Sequence, residues 1–223
     1  MGVVWPRIPS RNLRGRSTMI SPNTFHVVST ELVVGGFALA GLAFVFCTIA
    51  PMLPSTFSDR QGAGDSVAHT ALAFGLLATP FAILSGLSSA PGEALNSALL
   101  ANKMLLSLSG GGLALGVLVA RWRNGGGVWD STRTRLVQGI AGAGATACML
   151  LTASLGGRFT RGESLLDWLH LPYNEVLLMP TFLSIALLLI GCTCAAVGFR
   201  SHLNRTSSCL ELIREERLRP SLT

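Results

Sequence analysis

Residues 32–53 read LVVGGFALAGLAFVFCTIAPML, a stretch without a single charged side chain. About 20 apolar residues in an α-helix cross the hydrocarbon core of a bilayer. Backbone groups in lipid must find their hydrogen bonds within the segment, so the stretch predicts a transmembrane helix. The whole chain fits this reading, with 49% hydrophobic and 13% charged residues and a mean hydropathy of +0.52. Soluble domains carry about twice that share of charge.

Four further apolar stretches are long enough to span a bilayer: 67–89, 98–120, 136–157 and 176–199. Pro80 lies inside the second and is expected to kink it. Lys103 is the charged residue of the third, close enough to its start to reach the headgroups. The sequence therefore predicts an all-α, polytopic integral membrane helix bundle of five transmembrane helices over residues 32–199.

Arginines near the predicted spans orient the chain, because loops rich in lysine and arginine stay in the cytoplasm. One predicted side carries ten of them: Arg60 in the loop 54–66, four in the loop 121–135 and five in the tail 200–223. The other side has only Arg158 and Arg161 near a span, with four more far from it in the N-terminal tail. We therefore expect a cytoplasmic C-terminus, in a bacterial inner membrane or, as the alternative, an organelle inner membrane. Lipid headgroups explain these arginines better than nucleic acid does, although the net charge is +6.

Both ends of the chain are predicted to lie outside the spans. Residues 1–31 form a basic tail, of which residues 1–18 are either an extension upstream of Met19, an organelle targeting segment or a basic arm for a partner. In the tail 200–223, Ser208 and Glu211 have capping-box spacing. We expect a short amphipathic helix there.

Small residues predict where helices pack, since close backbone approach favours association in lipid. Gly112 and Gly116 have GxxxG spacing, and Gly139 and Ala143 form a small-residue stripe one span later. We therefore expect the third and fourth predicted helices to pack closely.

The loop RWRNGGGVWDSTRTR at 121–135 frames a glycine run with aromatic and basic side chains. Tryptophan is enriched at membrane interfaces. We expect lipid or partner contacts from Trp122, Trp129, Arg121, Arg123 and, in the last loop, Trp168.

The segment LGGRFTRGESLLDWLH at 155–170 is predicted to end the fourth span at Gly156 and Gly157, because glycine favours helix C-termini. Residues 165–169 should then lie along the membrane surface, with Leu165, Leu166 and Leu169 toward lipid.

Candidate cofactor ligands are three histidines near span ends, His26, His69 and His170, which are of the type that binds heme or (bacterio)chlorophyll. The motifs of hydrolases, metalloproteases and phosphate-binding loops are absent from the sequence. The five cysteines have no metal or disulfide spacing. The sequence therefore predicts no enzymatic activity and no metal site.

Three stretches carry a resemblance: VAHTALAFGLLATPFAILSGL at 67–87, NKMLLSLSGGGLALGVLVARWR at 102–123 and GATACMLLTASLGGRFTRGES at 144–164. Together they resemble a four-helix family of bacterial membrane proteins classed only as a domain of unknown function, over about residues 24–163. The resemblance implies a four-helix unit to which the fifth helix and both tails are additions. Where that family often has a histidine, this chain has Asn102 or Lys103, which implies that a cofactor bound there is lost.

These patterns favour a non-catalytic accessory or scaffolding subunit of a larger energy-converting membrane complex, respiratory or photosynthetic. Membrane lipids and other subunits are the expected partners. One alternative is a heme- or pigment-binding electron-transfer protein that uses the histidines. Another is a small-solute transporter that depends on Lys103 or on the Pro80 kink.

Overall fold

The computed structural model describes residues 21–89, 97–168 and 170–218. Within these ranges the secondary structure is entirely helical. Short 3-10 helices, Ala50–Met52 and Gly125–Trp129, follow the first and the fourth α-helix. The α-helices are α1 (Pro22–Ile49), α2 (Ser55–Ser58), α3 (Gln61–Ser89), α4 (Ala98–Asn124), α5 (Thr132–Arg161), α6 (Leu165–Trp168) and α7 (Thr181–Leu218).

Five of these helices, α1, α3, α4, α5 and α7, are long and apolar enough to cross a membrane. The predicted all-α bundle with five spans is thus confirmed as a fold. α1, α3 and α5 begin earlier than the predicted apolar runs, α4 begins where its run was predicted to, and α7 begins five residues later, at Thr181. Polar side chains cap three of these starts. Ser21, Ser97 and Ser131 each have extended backbone and accept a hydrogen bond from the backbone N–H three residues on.

The bundle consists of α1, α3, α4 and α5, with α7 outside it. α1 packs against α3 and α5, and α4 packs against α5 and α7. The centre holds the fully buried rings of Phe37 and Phe44. Each ring lies over a glycine of a neighbouring helix, Gly75 and Gly142 respectively, where a side chain would collide with it.

Glycines set the helix contacts, but not in the predicted pairs. Gly112 faces α7, where Gly191 and the Leu187 carbonyl approach it, and Gly116 faces open space. Gly139 packs against Thr48 of α1, and Ala143 is half-buried on α5. The α4 glycine that does approach α5 is Gly110, next to the Ala145 carbonyl. α4 and α5 therefore pack together, but without the GxxxG pair.

The end of α5 also differs from the prediction. The helix continues through Gly156 and Gly157 to Arg161 and is capped by Gly162, whose φ of 78° is left-handed. A left-handed residue after the last turn costs glycine little. Gly156 and Gly157 instead make room for two cationic side chains, those of Lys103 and Arg161.

α7 is longer than its apolar run. The fifth span was predicted to end at residue 199, yet the helix continues without a break to Leu218 and takes in most of the predicted tail. At 1.5 Å per residue, its 38 residues extend about 57 Å, nearly twice the thickness of the hydrocarbon core. α3 likewise runs through Pro80 uninterrupted. The predictions for residues 1–18 and for Leu169 lie outside the described residues.

Candidate functional site

A buried carboxylate organises one end of the bundle. Asp65 lies in the second turn of α3 and is only 4% exposed. Its Oδ1 accepts a hydrogen bond from the Trp129 indole Nε1 at 2.6 Å. Its Oδ2 accepts from the Arg121 Nε at 2.7 Å and lies 2.6 Å from a terminal guanidinium nitrogen. Both carboxylate oxygens are therefore occupied by donors from other elements, which offsets the cost of burying the charge.

His69 extends this network one helical turn along α3. Its Nδ1 lies 2.8 Å from the Asp65 carbonyl oxygen and 2.9 Å from the Asp65 Oδ1. The Gln138 Nε2 lies 2.8 Å from the His69 Nε2 and 3.1 Å from the Val117 carbonyl. An amide nitrogen only donates, so the His69 Nε2 accepts and its Nδ1 carries the proton. The contacts therefore fix one neutral tautomer of this imidazole.

Local sequence explains how these groups meet. Arg121 is in the last turn of α4, and Gly125, with φ of 57°, allows the chain to reverse into the 3-10 helix that returns Trp129 to the bundle. The Phe44 ring of α1 closes the cluster. Its centroid is 5.1 Å from that of His69, edge to face, and 6.4 Å from that of Trp129.

The network corrects two predictions of membrane or partner contact. Trp129 is 7% exposed and Arg121 is directed at Asp65, so neither is primarily a surface contact. Arg123 and Trp122 are exposed, although Trp122 also packs against His202 of α7 with ring centroids 5.3 Å apart. Asp65 and Gln138 were not predicted. One sequence feature could have indicated Asp65: it is the one acidic residue of its helix, and His69 follows it at i+4, on the same face.

The candidate cofactor histidines do not form one site. His26 of α1 contacts Ser85, with Nδ1 3.1 Å from its Oγ. Ser85 follows His69 by 16 positions on α3, which separates them by about 24 Å along the axis. His170 is exposed in the loop after α6, with φ of 53°. His69 would have to give up the Gln138 contact before it could bind a metal.

A second buried amide fixes the loop that leads into α7. Asn102 of α4 is fully buried. Its Nδ2 donates to the carbonyls of Tyr173 and Val176, each at 2.8 Å, and its Oδ1 accepts from the Leu178 N–H at 2.6 Å. Three bonds to one loop make Asn102 a structural clamp between α4 and the segment that leads into α7.

The same loop is held to α6 by Asp167. Its Oδ2 accepts from the Ser164 N–H at 2.7 Å, and its Oδ1 accepts from the Tyr173 hydroxyl. The Leu166 side chain lies on the buried face of α6, contrary to its predicted lipid contact. Leu165 is exposed, as is Trp168 at 84%. The hydrogen bonds of Asp167 thus hold α6 in place, and α6 exposes the apolar side chains of Leu165 and Trp168.

These contacts shift two pKa values in opposite directions. The hydrogen bond from Tyr173, with smaller contributions from the Ser164 N–H and Arg158, lowers the pKa of Asp167. The same bond, with burial, raises the pKa of Tyr173. The ionised Asp167 and the neutral Tyr173 phenol are therefore the pair that the fold stabilises.

We expect this loop to loosen in acid. Because the pKa of Asp167 is lower in the folded state than the unfolded value of about 3.9, its stabilising effect is complete above that value and is lost as pH falls through the folded-state pKa. Hydrogen exchange of residues 164–178, corrected for the intrinsic rate, should stay constant from about pH 5 to 8 and rise below about pH 4. Asp167→Asn should exchange faster than the wild type above about pH 5 and approach it in acid, whereas the exposed neighbour change Glu163→Gln should follow the wild type throughout. Equal exchange in all three proteins would contradict the assignment.

No family model, curated protein or solved structure matches the chain. The resemblance to the four-helix family of unknown function therefore stays a prediction. The fold and the two buried clusters define an all-α helical bundle whose five long helices have the length and composition of membrane spans.

Proposed function

We propose that this protein is a non-catalytic accessory or scaffolding subunit of a larger energy-converting membrane complex, respiratory or photosynthetic. The observation that carries the proposal is the geometry of α7. This helix packs against α4, is the least buried of the five spans and extends about 57 Å. A helix that adds little to its own core and runs beyond the bilayer thickness is suited to contact a neighbouring subunit.

The buried polar groups support the same proposal. Asp65, His69 and Gln138 direct their hydrogen bonds at one another and at Arg121, Trp129 and the Val117 carbonyl. Asn102 likewise bonds the loop before α7. Groups arranged in this way hold helices in register, which suits a scaffold that must present a fixed outer surface.

The remaining charges favour one orientation. Arg123 is exposed at the end that holds the Asp65 network, and the sequence of residues 200–218 mixes arginine and glutamate. The charge rule puts this end and the C-terminus in the cytoplasm, in a bacterial inner membrane. The energy-converting assignment follows from how often small polytopic subunits accompany respiratory and photosynthetic complexes.

Copurification tests the proposal. The full chain, tagged at its natural expression level and extracted from its native membrane in mild detergent, should remain bound in fixed stoichiometry to a respiratory or photosynthetic complex identified by mass spectrometry. Gly191→Leu should lower the recovery of that complex, because a side chain there collides with the Gly112 backbone and displaces α7. Gly35→Leu is a matched control, since its Cβ position is open. Recovery of the wild-type protein alone would overturn the proposal, and a bound heme or pigment, or solute flux in proteoliposomes, would favour an alternative.

A further inference from the structure

Cationic side chains gather at the end of the bundle opposite the Asp65 network. Arg158 and Arg161 belong to the last turn of α5, and Lys103 reaches this end from the second turn of α4. A positive region thus forms where α4 and α5 meet.

The Lys103 ammonium is directed at α5. Its Nζ lies 3.0 Å from the point that a Cβ on Gly156 would occupy, and its Cε lies 3.5 Å from the same point. A terminal nitrogen of Arg161 occupies the corresponding place at the next residue, Gly157. The paired glycines therefore accommodate an ammonium and a guanidinium at neighbouring positions on one helix turn.

Carboxylates do not neutralise these two cations within the described part of the chain. The ion pairs found there join Asp65 to Arg121 and His69, and Asp167 to Arg158 at 3.6 Å. Asp167 also accepts bonds from Tyr173 and the Ser164 N–H. Like charges held together repel, and a charged lysine inside a membrane span is costly without a partner. Binding of an anion would relieve both penalties.

We propose that Lys103 and Arg161 bind the phosphate group of an anionic phospholipid. Lys103 lies about 8 Å along α4 from Ala98, the first residue of the candidate span, so its long side chain can reach the headgroups. Guanidinium and ammonium groups are the usual protein ligands of phosphate. The apolar side chain of Met104, the next residue along α4, is exposed, where an acyl chain would lie.

Thermal unfolding of the full chain in detergent tests this site and needs no partner complex, so its result is independent of the subunit proposal. After delipidation, short-chain phosphatidylglycerol should raise the unfolding midpoint and short-chain phosphatidylcholine should not. Lys103→Met and Arg161→Gln should each weaken the apparent affinity for phosphatidylglycerol about tenfold, since each removes a charged hydrogen bond. Arg123→Gln, which removes an exposed arginine at the opposite end, should respond like the wild type.

Two further measurements distinguish a lipid phosphate from free inorganic phosphate as the bound anion. Inorganic phosphate at matched concentration should leave the midpoint unchanged if the site takes a lipid. A shift of the midpoint by inorganic phosphate that is lost in Lys103→Met would keep the phosphate site but assign it to the free ion. Wild-type responses to phosphatidylglycerol in both Lys103→Met and Arg161→Gln would overturn the proposal.

Discussion

Gly112→Leu is expected to separate α7 from α4 and to destabilise the protein by about 3 kcal/mol, the upper part of the range for overpacking. A Cβ at Gly112 would lie 2.3 Å from the Leu187 carbonyl oxygen, and one at Gly191 would lie equally close to the Gly112 carbonyl oxygen. Because both obstacles are backbone atoms, a rotamer change cannot relieve the collision. Unfolding in increasing sodium dodecyl sulfate measures the loss.

Gly116→Leu is the matched control, one turn further along the same helix. Nothing lies within 4 Å of its Cβ position, so the same substitution should change stability by about 0.5 kcal/mol or less. Since α7 lies outside the four-helix bundle, Gly112→Leu should also retain the far-ultraviolet circular dichroism of α1, α3, α4 and α5. Equal losses at Gly112 and Gly116 would mean that α7 packs elsewhere.

Asp65→Asn should destabilise the bundle by about 3 kcal/mol. Asparagine has nearly the same shape as aspartate, but its amide nitrogen replaces one of the two accepting oxygens. That nitrogen is a donor and would face a second donor, either the Arg121 guanidinium or the Trp129 indole N–H. Breaking one side of a buried ion pair costs roughly 3–5 kcal/mol. The lower value applies here because the Arg121 side chain is 32% exposed and regains contact with water. Chemical unfolding in detergent measures the difference.

A double-mutant cycle isolates the pair. If the ion pair carries the effect, Asp65→Asn combined with Arg121→Gln should cost less than the sum of the single changes. Asp59→Asn, an exposed carboxylate ahead of the same helix, should change stability by about 0.5 kcal/mol or less. Additive losses at Asp65 and Arg121 would show that the carboxylate acts through another contact.

Hydropathy was sufficient to predict the five long apolar helices, because each contains one continuous apolar run of about the length that crosses a bilayer. It could not predict where the helices end, since ends depend on single residues. Ser21 and Ser131 start their helices by side-chain capping, and Gly162 ends α5 through its left-handed backbone. Gly156 and Gly157, one turn earlier, serve a packing role that only the positions of Lys103 and Arg161 reveal.

The candidate site was less accessible to sequence reasoning. Asp65 lies 56 positions before Arg121 and 64 before Trp129, so the pattern within any one segment does not indicate the partnership. Tryptophan and arginine at a span end are common as interface anchors. Only the reversal at Gly125 turns Trp129 inward. The same limit applied to the GxxxG spacing. Gly112 does pack closely, but against α7, and Gly116 faces open space.

The long sequence separation within the Asp65 network has a consequence for biogenesis. A ribosome makes the chain from its N-terminus, so α3 is complete before α4 and the Gly125–Trp129 turn have been synthesised. During that interval the Asp65 carboxylate lacks both of its donors. The contacts that bury Asp65 therefore form only after α4 and the Gly125–Trp129 turn have been made, and until then the polar end of α3 is free to stay in water.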